Sequence, residues 1–243
     1  MSLTVIGLGP GAADLLTPRA AGALAAATDL VGYGPYLDRV PDRPGQRRHP
    51  TDNREELQRA RHALRMAQSG SRVAVVSGGD PGVFGMAAAV FEAMETDSAL
   101  RDVVVEIVPG ISALLAAAAR LGAPLGHDFC AISLSDNLKP WPVVLQRLRA
   151  AAGAGFVLTL YNPVSRARPW QLGAAFEALR DVLPAATPVA FATAISRPDE
   201  HVSVTNLAEA DASRADMRTL VIVGSPATRI VGAWLYTPRS AAT

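Results

Sequence analysis

Runs of apolar, β-branched residues alternate along this chain with segments whose apolar positions recur at helical spacing. That pattern belongs to an α/β protein with largely parallel sheet. In the first half, strands are predicted at 3–8, 29–31, 73–77 and 103–108. A helix starts at Thr17-Pro18, where a hydroxyl cap precedes a proline at the first helical position. Asp52 and Glu55 form a capping box for another helix, on which Leu57, Ala60, Leu64 and Ala67 share one face until Gly70 stops it. Further helices are expected over 86–94 and 112–121.

Gly122-Ala-Pro-Leu-Gly126 interrupts this rhythm, and a second series follows. The chain is therefore divided into domains at 1–121 and 122–243. Strands are predicted at 130–134, 156–161, 189–194, 201–204 and 219–223. Trp141, Val144, Leu145 and Leu148 mark one helical face, and Leu172, Phe176, Leu179 and Leu183 another. The late strands are closely spaced with little helix between them, so the second sheet is expected to be mixed.

The stretch from Arg72 to Ala87 carries the most chemical information. A buried strand there ends in Gly78-Gly-Asp-Pro-Gly82 before an apolar helix. Glycines let the main chain approach a small molecule closely, and Asp80 adds a directed acceptor. Open α/β sheets bind ligands beyond the carboxyl ends of their strands, where this turn falls. The plain alternative is a tight strand-to-helix connection.

Composition narrows the choices. A chain of 243 residues that is 49% hydrophobic can fill real cores. A net charge of +1 with 5% aromatics argues against nucleic acid as a partner. Of the 23 Lys and Arg residues, Lys139 is the only lysine, and arginine pairs with carboxylates through a two-pronged fork. Cys130 stands alone, which excludes an internal disulfide and fits a reducing cytoplasm; no metal site is expected. The N-terminus reads as a first strand and not as a signal peptide, and no apolar stretch reaches membrane-spanning length. A cytoplasmic protein with no membrane partner is expected.

Gly7-Leu-Gly-Pro-Gly-Ala12 satisfies the dinucleotide fingerprint, with Asp29 at about the spacing of a ribose-binding acid. That reading fails physically. Residues 12–16 separate the turn from the helix start at Thr17-Pro18, so no helix N-terminus meets a pyrophosphate, and Asp29 precedes its strand instead of ending it.

Gly7-Leu-Gly-Pro-Gly11, Gly78-Gly-Asp-Pro-Gly82, Val108-Pro-Gly-Ile-Ser-Ala113 and Leu160-Tyr-Asn-Pro163 occur in this order at predicted strand ends. Together they resemble the tetrapyrrole methylases over nearly the whole chain. The resemblance implies two α/β domains, a mostly parallel N-terminal sheet, a mixed C-terminal sheet and an interdomain active-site cleft. It also implies S-adenosylmethionine as methyl donor, S-adenosylhomocysteine as product, a tetrapyrrole substrate and a homodimer. Gly32-Tyr-Gly-Pro-Tyr36, Gly122-Ala-Pro-Leu-Gly-His-Asp-Phe129, Ile132-Ser-Leu-Ser-Asp136 and Tyr161-Asn-Pro-Val-Ser-Arg-Ala-Arg168 are similar to the branch that methylates carbon 17 of a precorrin and contracts its ring. A sister methylase acting at another carbon, or on the cobalt-containing substrate, is the alternative. A non-enzymatic tetrapyrrole carrier is a third, but a carrier has no use for methyl-donor turns.

Carried over by motif, the donor contacts implied are Pro10, Gly79, Asp80, Val83, Phe84, Ser112 and Ala113 in the first domain. Tyr161, Asn162, Thr219 and Leu220 are the second-domain contacts. For Val83 and Phe84 the alternative is core packing. Ring contraction calls for a base near a substrate hydroxyl, and His127, Asp128 and Asp136 lie in the segments that mark the branch. Capping or turn chemistry is the alternative for Asp128, and a hydrogen-bonded loop role for His127. Arg47, Arg48, Arg166 and Arg168 are the candidates for clamping the substrate's carboxylate arms.

Overall fold

The computed structural model describes residues 2–52, 55–165 and 167–240, which fall into two compact units, Met1–Ala113 and Leu114–Thr243. The division lies one helix earlier than the sequence boundary at 121/122, because the helix Ala113–Leu121, apart from its first residue, groups with the second unit.

In the first unit, β1 (Ser2–Gly7), β2 (Asp29–Tyr33), β3 (Arg47–Thr51), β4 (Val73–Ser77) and β5 (Val104–Val108) form a sheet in the order β3-β2-β4-β1-β5. Every pairing is parallel. Its helices are α1 (Pro18–Ala26), α2 (Gly34–Leu37), α3 (Glu56–Gln68) and α4 (Met86–Thr96). Strand residues alternate between two cores. Leu3, Val5, Val31, Val73 and Val75 pack with α3 and α4, while Ile6, Leu30, Ala74 and Val76 pack with α1 and α2. Burial on both faces explains why these strands read as unbroken apolar runs.

The predicted helix start at Thr17 is present, whereas the Asp52 box forms only in part, because α3 takes Glu55 as its N-cap and begins at Glu56. The Thr17 hydroxyl accepts the Ala20 N–H at 3.1 Å, with Pro18 opening α1. The Glu55 carboxylate accepts the Asp52 N–H at 3.2 Å, and Gly70 leaves α3 at φ +97°.

The second unit contains α5 (Ala113–Leu121), β6 (Gly122–Ala123), β7 (Phe129–Ser133), α6 (Trp141–Gly153), β8 (Val157–Tyr161), α7 (Gln171–Arg180), β9 (Pro188–Thr193), β10 (His201–Asn206), β11 (Thr219–Val223), β12 (Arg229–Val231) and β13 (Trp234–Tyr236). The main sheet has the order β10-β9-β11-β8-β7. Only β7 and β8 pair in parallel there, so the sheet is mixed, as the strand spacing predicted. Phe176 of α7 meets Phe191 of β9 edge-to-face, with ring centroids 6.1 Å apart.

A small sheet, β12-β13-β6, was not predicted. Among the described residues, no helix is long and apolar enough to cross a membrane.

Candidate functional site

In the first unit, three strand ends meet through bare backbone. Gly9 and Gly79 exchange hydrogen bonds, N–H to C=O, at 3.1 and 2.9 Å, which ties the turn after β1 to the turn after β4. A Cβ on Gly7 would lie 2.6 Å from the Gly110 nitrogen, and one on Gly110 would lie 2.2 Å from the Gly79 oxygen. Side chains are excluded there, so glycine is required for close backbone packing. Asp80 joins the same turns: its Oδ1 accepts the Gly82 N–H at 2.8 Å and its Oδ2 the Gly110 N–H at 3.0 Å. Its carboxylate is thus a clasp between the ends of β4 and β5.

Gly79 stands at φ +64°, and a Cβ there would be 3.7 Å from Ser112 Cα and Ala113 N. Of the first-unit donor candidates, Gly79, Asp80, Ser112 and Ala113 are therefore brought together, with Pro10 next to the Gly9 bridge. Arg39 supports this corner by donating to the carbonyls of Leu8 and Gly9 at 3.1 and 2.9 Å. The ring of Tyr36 covers Gly78, where a Cβ would sit 2.8 Å from the ring.

Phe84 is at φ +52° with its side chain 52% exposed, and Val83 is half-buried. A bulky residue in the left-handed region costs roughly 1–2 kcal/mol, and plain core packing does not explain a ring left half outside.

At the end of β7 and β8 in the second unit lie Ser133, Asp136, Tyr161 and Asn162, and the antiparallel β11 starts at that same end with Thr219 paired to Thr193. The Tyr161 hydroxyl accepts the N–H of Leu114 in the first turn of α5 at 3.1 Å. Asn162, at φ +51°, donates from Nδ2 to Ser133 Oγ at 2.9 Å. Asp136 Oδ1 accepts from Arg168 Nη1 at 3.3 Å and Gln171 Nε2 at 3.2 Å. Thr219 Oγ1 sits 2.8 Å from Thr193 Oγ1 and donates to Asp216 at 3.0 Å, while the Leu220 side chain is buried. Burial pushes the Cys130 thiol up, and burial with the Arg147 charge pushes the Lys139 ammonium down.

Several predicted groupings do not form. His127 and Asp128 precede β7, whereas Asp136 follows it. A strand of five residues at about 3.3 Å per residue separates them. His127 Nδ1 lies 3.7 Å from Asp128 Oδ2, and Asp128 is exposed. Arg47 is at the start of β3, at the sheet end opposite the glycine turns. It donates to both oxygens of the fully buried Asp29 at 2.8 and 3.0 Å. Arg48 is spent on the carbonyls of Leu37 and Val40 and on Asp42. Arg166 lies outside the described residues. The sequence also gave no warning of Ala194 and Ser196, at φ +49° and +60° beyond β9, because no glycine marks that turn.

The first unit is thus a parallel α/β sheet whose strands end in glycine turns at the carboxyl edge, the place where open α/β sheets bind their ligands. Residues 2–211 match the tetrapyrrole (corrin/porphyrin) methylases, and the chain belongs to that family. It is 61% identical to a precorrin-3B C(17)-methyltransferase of Sinorhizobium sp, over 98% of this chain and 96% of that one. A crystal structure of the methyltransferase CobJ superposes with a TM-score of 0.96 at 54% identity, covering 98% of this chain and 99% of the other. Uroporphyrin-III C-methyl transferase from Thermus thermophilus, complexed with S-adenyl homocysteine, gives 0.70 at 25% identity, with 92% and 97% covered.

Proposed function

We propose that this protein methylates precorrin-3B at carbon 17, with S-adenosylmethionine as donor, and contracts the ring to precorrin-4 in cobalamin biosynthesis. It does so as a cytoplasmic homodimer. The observation that carries the donor half is the cradle of Gly7, Gly79 and Gly110 clasped by Asp80, with Phe84 held strained and half exposed beside it. The 61% identity to a precorrin-3B C(17)-methyltransferase favours this substrate.

The residues fit the donor. Gly79 and Gly82 present main chain without side chains, and Phe84 offers an aromatic face for a flat base. Bound there, S-adenosylmethionine supplies an electrophilic methyl group on a sulfonium. The nucleophile is a ring carbon of the substrate, so the protein's task is orientation, which for well-placed reactants contributes roughly 7–11 kcal/mol.

Ring contraction requires removal of a proton from a hydroxyl on carbon 20. As that oxygen becomes a carbonyl, a ring carbon–carbon bond at carbon 20 migrates, and the carboxylate of a ring-A lactone departs with the electron pair. We assign the proton removal to Asp136, whose carboxylate is held by two donors at the ends of β7 and β8. His127 and Asp128, across the length of β7, are not part of this assignment.

The test is incubation of the purified protein with precorrin-3B and S-adenosylmethionine, followed by mass and structure determination of the product. One added methyl at carbon 17 with a new acetyl group is expected. Donor binding without methyl gain would send the assignment to the cobalt-containing substrate or to another carbon.

A further inference from the structure

A polar network crosses the ends of β7 and β8 and reaches the start of α7. Asn162 Nδ2 donates to Ser133 Oγ at 2.9 Å, and that hydroxyl also accepts the Ser135 N–H at 3.3 Å. Arg168 Nη1 donates to Ser135 Oγ at 2.6 Å and to Asp136 Oδ1 at 3.3 Å. Gln171 Nε2 donates to the same Asp136 oxygen at 3.2 Å. Ser165 and Arg168 exchange backbone hydrogen bonds at 3.0 and 2.9 Å, which fixes where the arginine leaves the chain.

Stability alone does not account for this arrangement. The Gln171 residue is 1% exposed, and the Arg168 side chain 18%. Desolvating a cation and an amide is costly, and an apolar pair would fill the space at less expense. Arg168 Nε, Gln171 Oε1 and Ser165 Oγ are buried with no hydrogen-bond partner among the described residues. Unmet buried polar atoms destabilise a fold and mark places where something other than stability has set the residue type. Asn162, at one end of the network, holds a left-handed conformation directly before Pro163, a backbone state proline disfavours in its predecessor. What the network does achieve is orientation: two donors from different segments converge on one oxygen of Asp136 and fix the plane of its carboxylate.

We infer that Arg168 and Gln171 are positioning residues for Asp136, and that Arg168 is not a clamp for a substrate carboxylate. The inference rests on the role of Asp136 proposed above. Gln171 is too deeply buried to touch substrate, so any effect it has on turnover passes through Asp136.

Steady-state kinetics with precorrin-3B separate the two roles of Arg168. Arg168→Met and Gln171→Met are expected to lower kcat about tenfold or more while the tetrapyrrole KM stays within about twofold. Arg168→Lys is expected to recover part of the loss. In an Asp136→Asn background, adding Arg168→Met is expected to cost nothing further, because the partner it positions is gone. A raised KM with unchanged kcat would establish a clamp and overturn the inference, as would unchanged kinetics in both Met variants.

Asp136→Asn as active as wild type beside a slow Arg168→Met would also overturn it, leaving the methylation reading intact. Wild-type protein that methylates nothing would overturn that reading and the inference with it. If Arg168→Met does not fold, the neutral Gln171→Met decides the question. S-adenosylhomocysteine binding, measured by calorimetry on each variant, verifies that the donor site is whole.

Discussion

Asp80 and Gly110 are joined side chain to backbone, Oδ2 accepting the N–H at 3.0 Å, while the other oxygen of the same carboxylate holds Gly82 at 2.8 Å. One aspartate therefore sets the spacing of two strand-end turns. Asp80→Ala leaves both N–H groups to be met by water or not at all, at a cost of about 1–3 kcal/mol. A lower melting temperature and weaker S-adenosylhomocysteine binding are expected, read by thermal denaturation and calorimetry. Unchanged binding would mean that the turns keep their shape without the clasp.

Two glycine-to-alanine changes should act in opposite directions. Gly110→Ala places a methyl 2.2 Å from the Gly79 carbonyl oxygen and 2.9 Å from the Gly7 carbonyl carbon. Neither is the end of a flexible side chain, so strand ends must shift, at a cost of about 1–3 kcal/mol or more. Gly22, inside α1, has nothing within 4 Å of an added Cβ, and Gly22→Ala should stabilise by about 0.5–1 kcal/mol through helix propensity. Denaturant unfolding of both variants measures the contrast.

These glycines also show why much of the fold was legible in the sequence. Strands buried on both faces need apolar runs, and their ends need residues without side chains, so β1, β4 and the turns after them are written plainly. The edge strand β3 is Arg47-Arg-His-Pro-Thr51. It satisfies no apolar pattern because part of what holds it is the charge of Asp29, and Pro50 is tolerated at an edge. β6, β12 and β13, two or three residues each, are too short to carry a period.

The glycine turns at the strand ends were legible because they follow backbone chemistry, whereas membership in a branch-marking segment says nothing about which side chains meet. His127 and Asp136 are separated by one whole strand. Gln171 was invisible because a single polar residue at a helix start signals nothing until Asp136 is seen beside it.

Acid should expose the Asp29 cluster. Hydrogen bonds from Arg47, then from His49 and Thr28, hold this carboxyl below its ordinary 3.8 despite the opposing effect of burial. The unfolded chain therefore binds the proton first as pH falls. The stability from Asp29 is fully present above about pH 5, declines through 3.8 and is lost as pH falls through the native value. Asp29→Asn should melt well below wild type near neutral pH, and the gap should close as pH drops below about 4. Melting curves across pH test this, and a constant gap would remove the electrostatic account.

Phe84 allows stability and ligand binding to be separated. Its φ of +52° is a conformation that glycine adopts without strain, so Phe84→Gly relieves about 1–2 kcal/mol while adding about 0.5–1 kcal/mol of unfolded-state entropy. The lost ring was already half exposed, so its burial contributes only about 1 kcal/mol and roughly offsets the gain. The melting temperature should therefore change little. If the ring faces the adenine of the donor, S-adenosylhomocysteine affinity should fall about tenfold in the same variant, about 1.4 kcal/mol. A drop in melting temperature with affinity unchanged would make Phe84 a packing residue, and the strain at this turn would then need another cause.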